Sequence, residues 1–291
     1  MRIAELYAQN RPVFSFEFFP PRTPKGGESL LRTIKELARL QPGFVSVTCP
    51  LDKTRRPDTF ALVVRTKRDL GIEAMAHVVT VDYSRSEMST VLEQLRRDGI
   101  ENILALRGDL PENADPDAPR DFQHGVDLVR FAREIGGLCI GAAAHPELHP
   151  NSSDWEGEIR HAAEKVAAGC EFLITQLFFD NEDYFGYVER ARNAGIDVPI
   201  VPGIMPVGSV PGIKRMARMN RNRIPADFLA ELEAAEDDAL AVHRLGVRHA
   251  TRQCEDLLAR GVPGIHFYTL NRSPATREIL TALRERPSPA G

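Results

Sequence analysis

Residues 13–22 read VFSFEFFPPR. The apolar run Val13–Phe18 has the length and composition of a buried strand, and Pro20-Pro21 ends it, because proline cannot donate to a ladder. A stretch with apolar positions near a 3.6-residue period follows at Glu28–Leu40. Between them, Gly26-Gly27 in PKGGESL reads as a helix start and not as a phosphate loop. The same alternation then recurs along the chain. Further strand candidates are Gly43–Thr48, Glu73–Val79, Asn102–Arg107, Leu138–Ala144, Glu171–Phe178, Val198–Ile204 and Gly264–Thr269. Helical stretches lie at Asp58–Leu70, Ser86–Arg97, Val126–Ile135, Glu156–Ala168, Glu182–Asn193 and Val210–Met219. Near-continuous apolar strands alternating with helices predict a parallel sheet covered on both faces. Eight strands, and no GxGxxG after the first, favour an α/β chain closed as a (β/α)8 TIM barrel over an open doubly wound sheet. Pro225–Arg260 exceeds one crossover helix. It reads as extra helices between strands 7 and 8, Asp227–Ala235 and Asp237–Ala259.

The bulk numbers agree with one barrel. The 291 residues form a single expected domain, with a disordered tail at about 287–291. A net charge of -4 and no Lys/Arg block argue against a nucleic-acid partner. No apolar run reaches the ~20 residues that span a membrane, and Met1–Pro12 lacks a signal core, so a cytoplasmic protein is expected. Cys49, Cys139, Cys170 and Cys254 form no CxxC pair and read as reduced, buried thiols.

A barrel of this kind carries its site at the C-terminal ends of the strands. Polar residues there are Glu17, Thr48, His77, Arg107-Gly108-Asp109, the run His145-Pro146-Glu147-Leu148-His149, Gln176, Tyr268, Asn271 and Arg272. Glu17 stands among Phe16, Phe18 and Phe19, where desolvation raises a carboxyl pKa and suits a general acid. The competing reading is a structural carboxylate paired with Arg22 or another arginine. Arg107-Gly108-Asp109 offers a cation, a bare backbone and an anion, or else a loop salt bridge. The Gln176 amide can donate and accept toward a pterin or flavin edge, or be a satisfied core amide. His77, His145 and His149 permit a metal-dependent hydrolase, although Pro146 keeps HPELH off one helical face.

Taken in order, FSFEFFPPR (14–22), FVSVT (44–48), LALRGDLP (104–111), HPELHP (145–150), ITQLFFD (174–180), PGIMPV (202–207), RIPADF (223–228) and HFYTLNRSPATR (266–277) resemble the methylenetetrahydrofolate reductase family. The resemblance implies a barrel with non-covalent FAD, reduced by NAD(P)H, that converts 5,10-methylenetetrahydrofolate to 5-methyltetrahydrofolate. It implies that Glu17 is the general acid and that Asp109 lies beside the flavin pyrimidine. Gln176 falls on the glutamine binding pterin and nicotinamide, Tyr268 on a site-lining position, and Arg272 on an arginine facing the glutamate tail. Thr48, His77, Arg107, Gly108, Gly125, His145, His149 and Lys165 fall on flavin-contacting or site-lining positions. Such proteins often form dimers or tetramers, so a homo-oligomer is compatible.

Four stretches depart from the family pattern, all on the flavin side. Thr48-Cys49-Pro50-Leu51 replaces Thr-Tyr-Gly-Ala, His124-Gly125 replaces Tyr-Ala, and His145-Pro146-Glu147 replaces Tyr-Pro-Glu. His161 and Glu164 stand where a polar or basic pair precedes Lys165. A flavin-independent reductase using a direct hydride donor is therefore the alternative. A non-catalytic paralogue is disfavoured by intact Glu17.

Overall fold

The computed structural model describes residues 1–9, 11–110, 115, 118–150, 152, 154–272 and 274–285; the tail expected at 287–291 lies outside them. The strands are β1 (Val13–Phe18), β2 (Phe44–Val47), β3 (Ala74–Val79), β4 (Asn102–Leu106), β5 (Cys139–Ala144), β6 (Phe172–Leu177), β7 (Ile200–Ile204) and β8 (Gly264–Tyr268). The helices are α1 (Ile3–Tyr7), α2 (Pro24–Ala38), α3 (Arg56–Leu70), α4 (Arg85–Arg97), α5 (Gly125–Ile135), α6 (Trp155–Ala167), α7 (Asn181–Asn193), α8 (Val210–Asn220), α9 (Ala226–Ala234), α10 (Ala239–Ala259) and α11 (Pro274–Glu285). All strand pairings are parallel, and β1 pairs with β8 to close the barrel in the order β1 to β8. The eight expected strands and the two extra helices after β7 are therefore present. Thr48, Arg107 and Thr269, expected inside strands, lie just beyond them, where the ladder ends and loops begin.

Alternation decides what faces inward. Phe16, Phe18, Val45, Val47, Val78, Ile103 and Phe267 point outward and pack under the helix ring with Leu30, Leu92, Val129 and Leu257. The opposite residues Val13, Phe44, Met75, Leu104, Cys139, Phe172, Ile174 and Val201 fill the barrel interior together with Ile3 and Leu6. Most of this second set lies in the first two positions of its strand, so α1 plugs the N-terminal end of the barrel. The plug is fastened by polar contacts: the Ile3 amide donates to Asn102 Oδ1 at 2.8 Å, and Arg2 pairs with Glu171 at 2.7 Å. At five residues, α1 is too short to show a helical period in the sequence.

Helix starts follow from capping chemistry. Thr23 accepts from the Gly26 amide, and Ser84 and Glu87 form a reciprocal capping box on α4. Asp154, Asp180, Ser209 and Asp238 cap α6, α7, α8 and α10 in the same way. Such caps fix where each βα loop ends, and so where the loop residues can point. No helix among the described residues is long and apolar enough to cross a membrane.

Candidate active site

The inward positions change character toward the C-terminal end. Glu17, Thr48, His77, Leu104, Leu106, Ala143, Ile174, Gln176, Met205 and Tyr268 line a cavity of about 280 Å³, with His145 at its side and Met216, Met219 and Asn220 of α8 over it. Glu17 is almost fully buried in its wall. Its Oε2 lies 3.3 Å from His77 Nε2 and 3.4 Å from His266 Nε2. Burial alone would raise this carboxyl, but the imidazoles of His77 and His266 outweigh it and lower it to about 2. The sequence expectation of a raised pKa is thus corrected. The flanking phenylalanines are real, yet the dominant neighbours arrive from β3 and β8, and among the described residues neither Arg22 nor another arginine pairs with Glu17. The Glu17 contact to His77 Nε2 is an ion pair, and among the described residues this buried nitrogen has no hydrogen-bond partner.

Gln176 faces Glu17's cavity from β6. Its Oε1 accepts from the Leu177 amide at 2.9 Å, and its Nε2 donates to Asn220 Oδ1 at 3.3 Å. Asn220 is itself oriented by donating to Met216 O at 3.1 Å. Tyr268 donates its hydroxyl to Thr175 O at 2.5 Å, and its pKa is raised well above the ordinary value by burial and then by Glu17. The ring has room only because residue 203 is glycine. A Cβ there would lie 2.5 Å from Tyr268 Cε2.

The remaining expected site residues stand outside this cavity. Asp109 is exposed after β4. Arg107 donates to Gly108 O at 3.2 Å, within its own loop. Gly108 sits at φ 83°, a left-handed conformation, with its missing Cβ 3.0 Å from Val81. Gly125 opens α5 against the end of β4, where a Cβ would be 3.6 Å from the Arg107 amide. Arg272 is exposed in the turn after β8, its amide donating to Thr269 O.

Beside the cavity, at the end of β5, lies a second polar group. His145 Nδ1 is 3.1 Å from Glu158 Oε1, while Glu158 Oε2 accepts from Ser152 Oγ at 2.6 Å and from the His149 amide at 3.2 Å. Burial raises the Glu158 carboxyl, but these donors outweigh it and bring it to about 2. The His145 and His149 rings meet edge-on at 4.6 Å. Burial, reinforced by His145, lowers His149 to about 4. Lys165 donates to Ala143 O at 3.0 Å, and burial lowers its ammonium. Glu164 instead pairs with exposed His161 at 3.5 Å, so its charge turns to solvent, away from Lys165. With His77 on Glu17 and His145 on Glu158, the three histidines do not converge. No group of three metal-ligating side chains occurs among the described residues.

The altered turn after β2 is anchored by Arg56. Its fully buried guanidinium donates to Pro50 O, Leu51 O and Val81 O at 3.2, 2.9 and 2.8 Å. Burial pushes the Cys49 thiol in this turn up to about 11, which leaves it a poor nucleophile. Sequence reasoning missed His266, Ser15, Glu158 and Asn220. For His266 the signal was available: a lone polar residue at an inward position of an otherwise apolar strand.

The chain matches the family model described as methylenetetrahydrofolate reductase over residues 2–284. A 5,10-methylenetetrahydrofolate reductase of Salmonella typhimurium is 37% identical over 273 residues, covering 94% of this chain and 91% of its own. Methylenetetrahydrofolate reductase (NADH) 1 of Arabidopsis thaliana is 34% identical, covering 97% of this chain, which spans half of that longer protein. Among solved structures, a Clostridium thermocellum protein described as binding two copies of 5-methyl-5,6,7,8-tetrahydrofolic acid superposes with a TM-score of 0.66. The overlap covers 97% of both chains at 17% identity, a likeness of fold. A family match over nearly the whole chain, with relatives above 30% identity, places it: the chain belongs to the methylenetetrahydrofolate reductase family.

Proposed function

We propose that the chain reduces 5,10-methylenetetrahydrofolate to 5-methyltetrahydrofolate with electrons from NADH or NADPH, the hydride passing through bound FAD. The observation that carries the reading is Glu17 in the wall of a mostly apolar cavity that Gln176 and Tyr268 help to line. Ring opening needs one proton on the leaving nitrogen as its bond to the methylene carbon breaks. The cationic iminium left behind then accepts hydride at that carbon. Glu17 is the side chain in the cavity wall placed to deliver that proton. It is ionised in the open cavity, so it must take up a proton before ring opening. A folate ring system that displaces the remaining water favours the neutral carboxyl further. Gln176, held by Leu177 and Asn220, presents its amide edge for a pterin.

The chemistry of the donor set fits FAD. The orphaned His77 Nε2 and Thr48 offer polar partners on the β2–β3 side of the cavity. Arg107 and Lys165 bring cationic groups, Gly108 a bare backbone and His149 a neutral imidazole to the ends of β4 and β5, suited to a diphosphate, and Asp109 supplies the anion. When bound there, FAD supplies the hydride. Arg272, on the rim beyond β8, is placed for the acidic tail of the folate.

A flavin-independent reductase is the second reading, and a specific observation favours it. Both Glu158 oxygens and His145 Nδ1 are consumed by bonds within the chain, leaving fewer free groups for a cofactor. The visible spectrum of the purified protein and of an FAD-reconstituted sample separates the two. The reductase reading itself is tested with Glu17→Gln, which should lower turnover ~10²–10⁴-fold, the usual worth of a positioned acid. Unchanged folate reduction by that variant would end the mechanism.

A further inference from the structure

Below Glu17 the barrel holds a buried polar unit that no part of the reaction above has used. His266 on β8 and Ser15 on β1 are both fully buried, and neither lines the cavity. Their strands pair in register, Ser15 with His266 and Glu17 with Tyr268. Ser15 Oγ lies 2.7 Å from His266 Nδ1, and His266 Nε2 lies 3.4 Å from Glu17 Oε2 and 3.5 Å from Ser46 Oγ. The ring plane is fixed by stacking on Phe44 at 6.0 Å and by an edge contact with Tyr268 at 5.4 Å. The groups that face Glu17 are therefore His77 from β3, His266 and Tyr268 from β8, and Ser46 from β2 behind the imidazole.

We propose that His266, backed by Ser15, is a positioning residue that sets the protonation state in which Glu17 meets the substrate. The inference rests on the reductase reading. Two hydrogen-bond patterns are open to the unit. With Glu17 ionised, His266 Nε2–H donates to the carboxylate and Nδ1 accepts from the Ser15 hydroxyl. With Glu17 protonated, the carboxyl donates to Nε2 and Nδ1–H donates to Ser15 Oγ. The imidazole carries one proton in each state, and the added proton is the one on Glu17. Ser15 can serve both patterns because a hydroxyl both donates and accepts. Neither state leaves an unpaired nitrogen on the buried ring, so the carboxyl can gain and lose a proton in a dry site without the usual penalty for an orphaned polar group. A buried Phe or Leu at position 266 would fill the space but support neither state.

The test is the pH dependence of kcat/KM for folate reduction in wild type, His266→Phe, His266→Gln and Ser15→Ala. Removing the Nε2 donor takes away a bond to the ionised carboxylate, which raises the Glu17 pKa. His266→Phe should therefore move the Glu17 limb of the profile upward by about one pH unit or more. His266→Gln keeps a donor near Nε2 and should restore the limb. Ser15→Ala leaves the imidazole in place and should move the limb in the same direction by less. It also keeps the test open if His266→Phe does not fold. A profile scaled down but unmoved in both His266→Phe and Ser15→Ala overturns the proposal. The imidazole ¹⁵N resonances give a readout independent of turnover. The Nε2–H form is expected at neutral pH, and an Nδ1–H form there overturns the inference. Absence of folate reduction by wild type would instead remove the reductase reading.

Discussion

Replacing Gly203 by alanine tests how the cavity wall is built. The added Cβ would lie 2.4 Å from Thr175 O, 2.5 Å from Tyr268 Cε2 and 2.8 Å from Tyr268 Oη. Van der Waals contact requires well over 3 Å, so something must move. The tyrosine ring could swing, at the expense of its hydroxyl bond to Thr175 O. The Thr175 carbonyl cannot move as cheaply, because β6 is paired to β7 through Leu177 and Gly203, and the Gly203 amide donates to Thr175 Oγ1 at 2.9 Å. Overpacking of this kind costs ~1–3 kcal/mol, and a lost buried hydroxyl bond adds ~1 kcal/mol. At roughly 2 °C per kcal/mol for a chain of this size, the melting temperature should fall roughly 4–8 °C. The displaced ring also narrows the cavity, so KM for folate should rise about 10-fold, equivalent to ~1.4 kcal/mol. Calorimetry and steady-state kinetics read the two effects. Tyr268→Phe is the control, since it removes only the hydroxyl and should cost ~1 kcal/mol. A Gly203→Ala protein that melts within about 1 °C of wild type with unchanged KM would refute the reasoning, because both magnitudes are far above that.

Three further outcomes follow from the same geometry. Arg56→Ala should cost ~3 kcal/mol or more in chemical denaturation, because it strands the Pro50, Leu51 and Val81 carbonyls; Arg56→Lys should recover little, since an ammonium lacks the guanidinium fork. Lys165→Met should hold or raise stability while weakening FAD retention. The folded pKa of Lys165 lies below its ordinary value, so keeping it charged costs stability at every pH below its unfolded pKa; a drop in stability with unchanged flavin content would contradict this. Acid should act in two stages. His149, held at about 4, loses stability as pH falls from its unfolded value near 6.5 toward 4. Glu158, held at about 2, contributes above its unfolded value of 4.5 and loses that contribution as pH falls toward 2. His149→Gln should flatten only the upper stage of a stability-versus-pH curve.

Local pattern was enough for the barrel. Apolar runs of strand length, alternating with 3.6-residue periodicity, leave few topologies open, and parallel strands need helical crossovers. Glu17, Gln176 and Tyr268 were readable as residues facing one cavity, because strand ends in such a barrel converge on one face. Their state was not readable. The Glu17 carboxyl is governed by His77 and His266, which lie 60 and 249 residues away in sequence and meet it only when β1, β3 and β8 close around one axis. Burial without knowledge of partners gave the wrong sign for its pKa. The fate of HPELH was equally hidden. Glu158 lies a helix turn into α6 and reads as surface charge, yet the fold buries it against His145, Ser152 and the His149 amide. Gly203 shows the same limit from the other side. In sequence it is one glycine in a strand, and only the opposing Tyr268 ring and Thr175 carbonyl explain why no larger residue fits. Sequence determines which residues can face inward, because side-chain alternation is a local property. Tertiary structure alone decides what each one meets there, because electrostatics and close packing depend on distances between strands that the chain order does not specify.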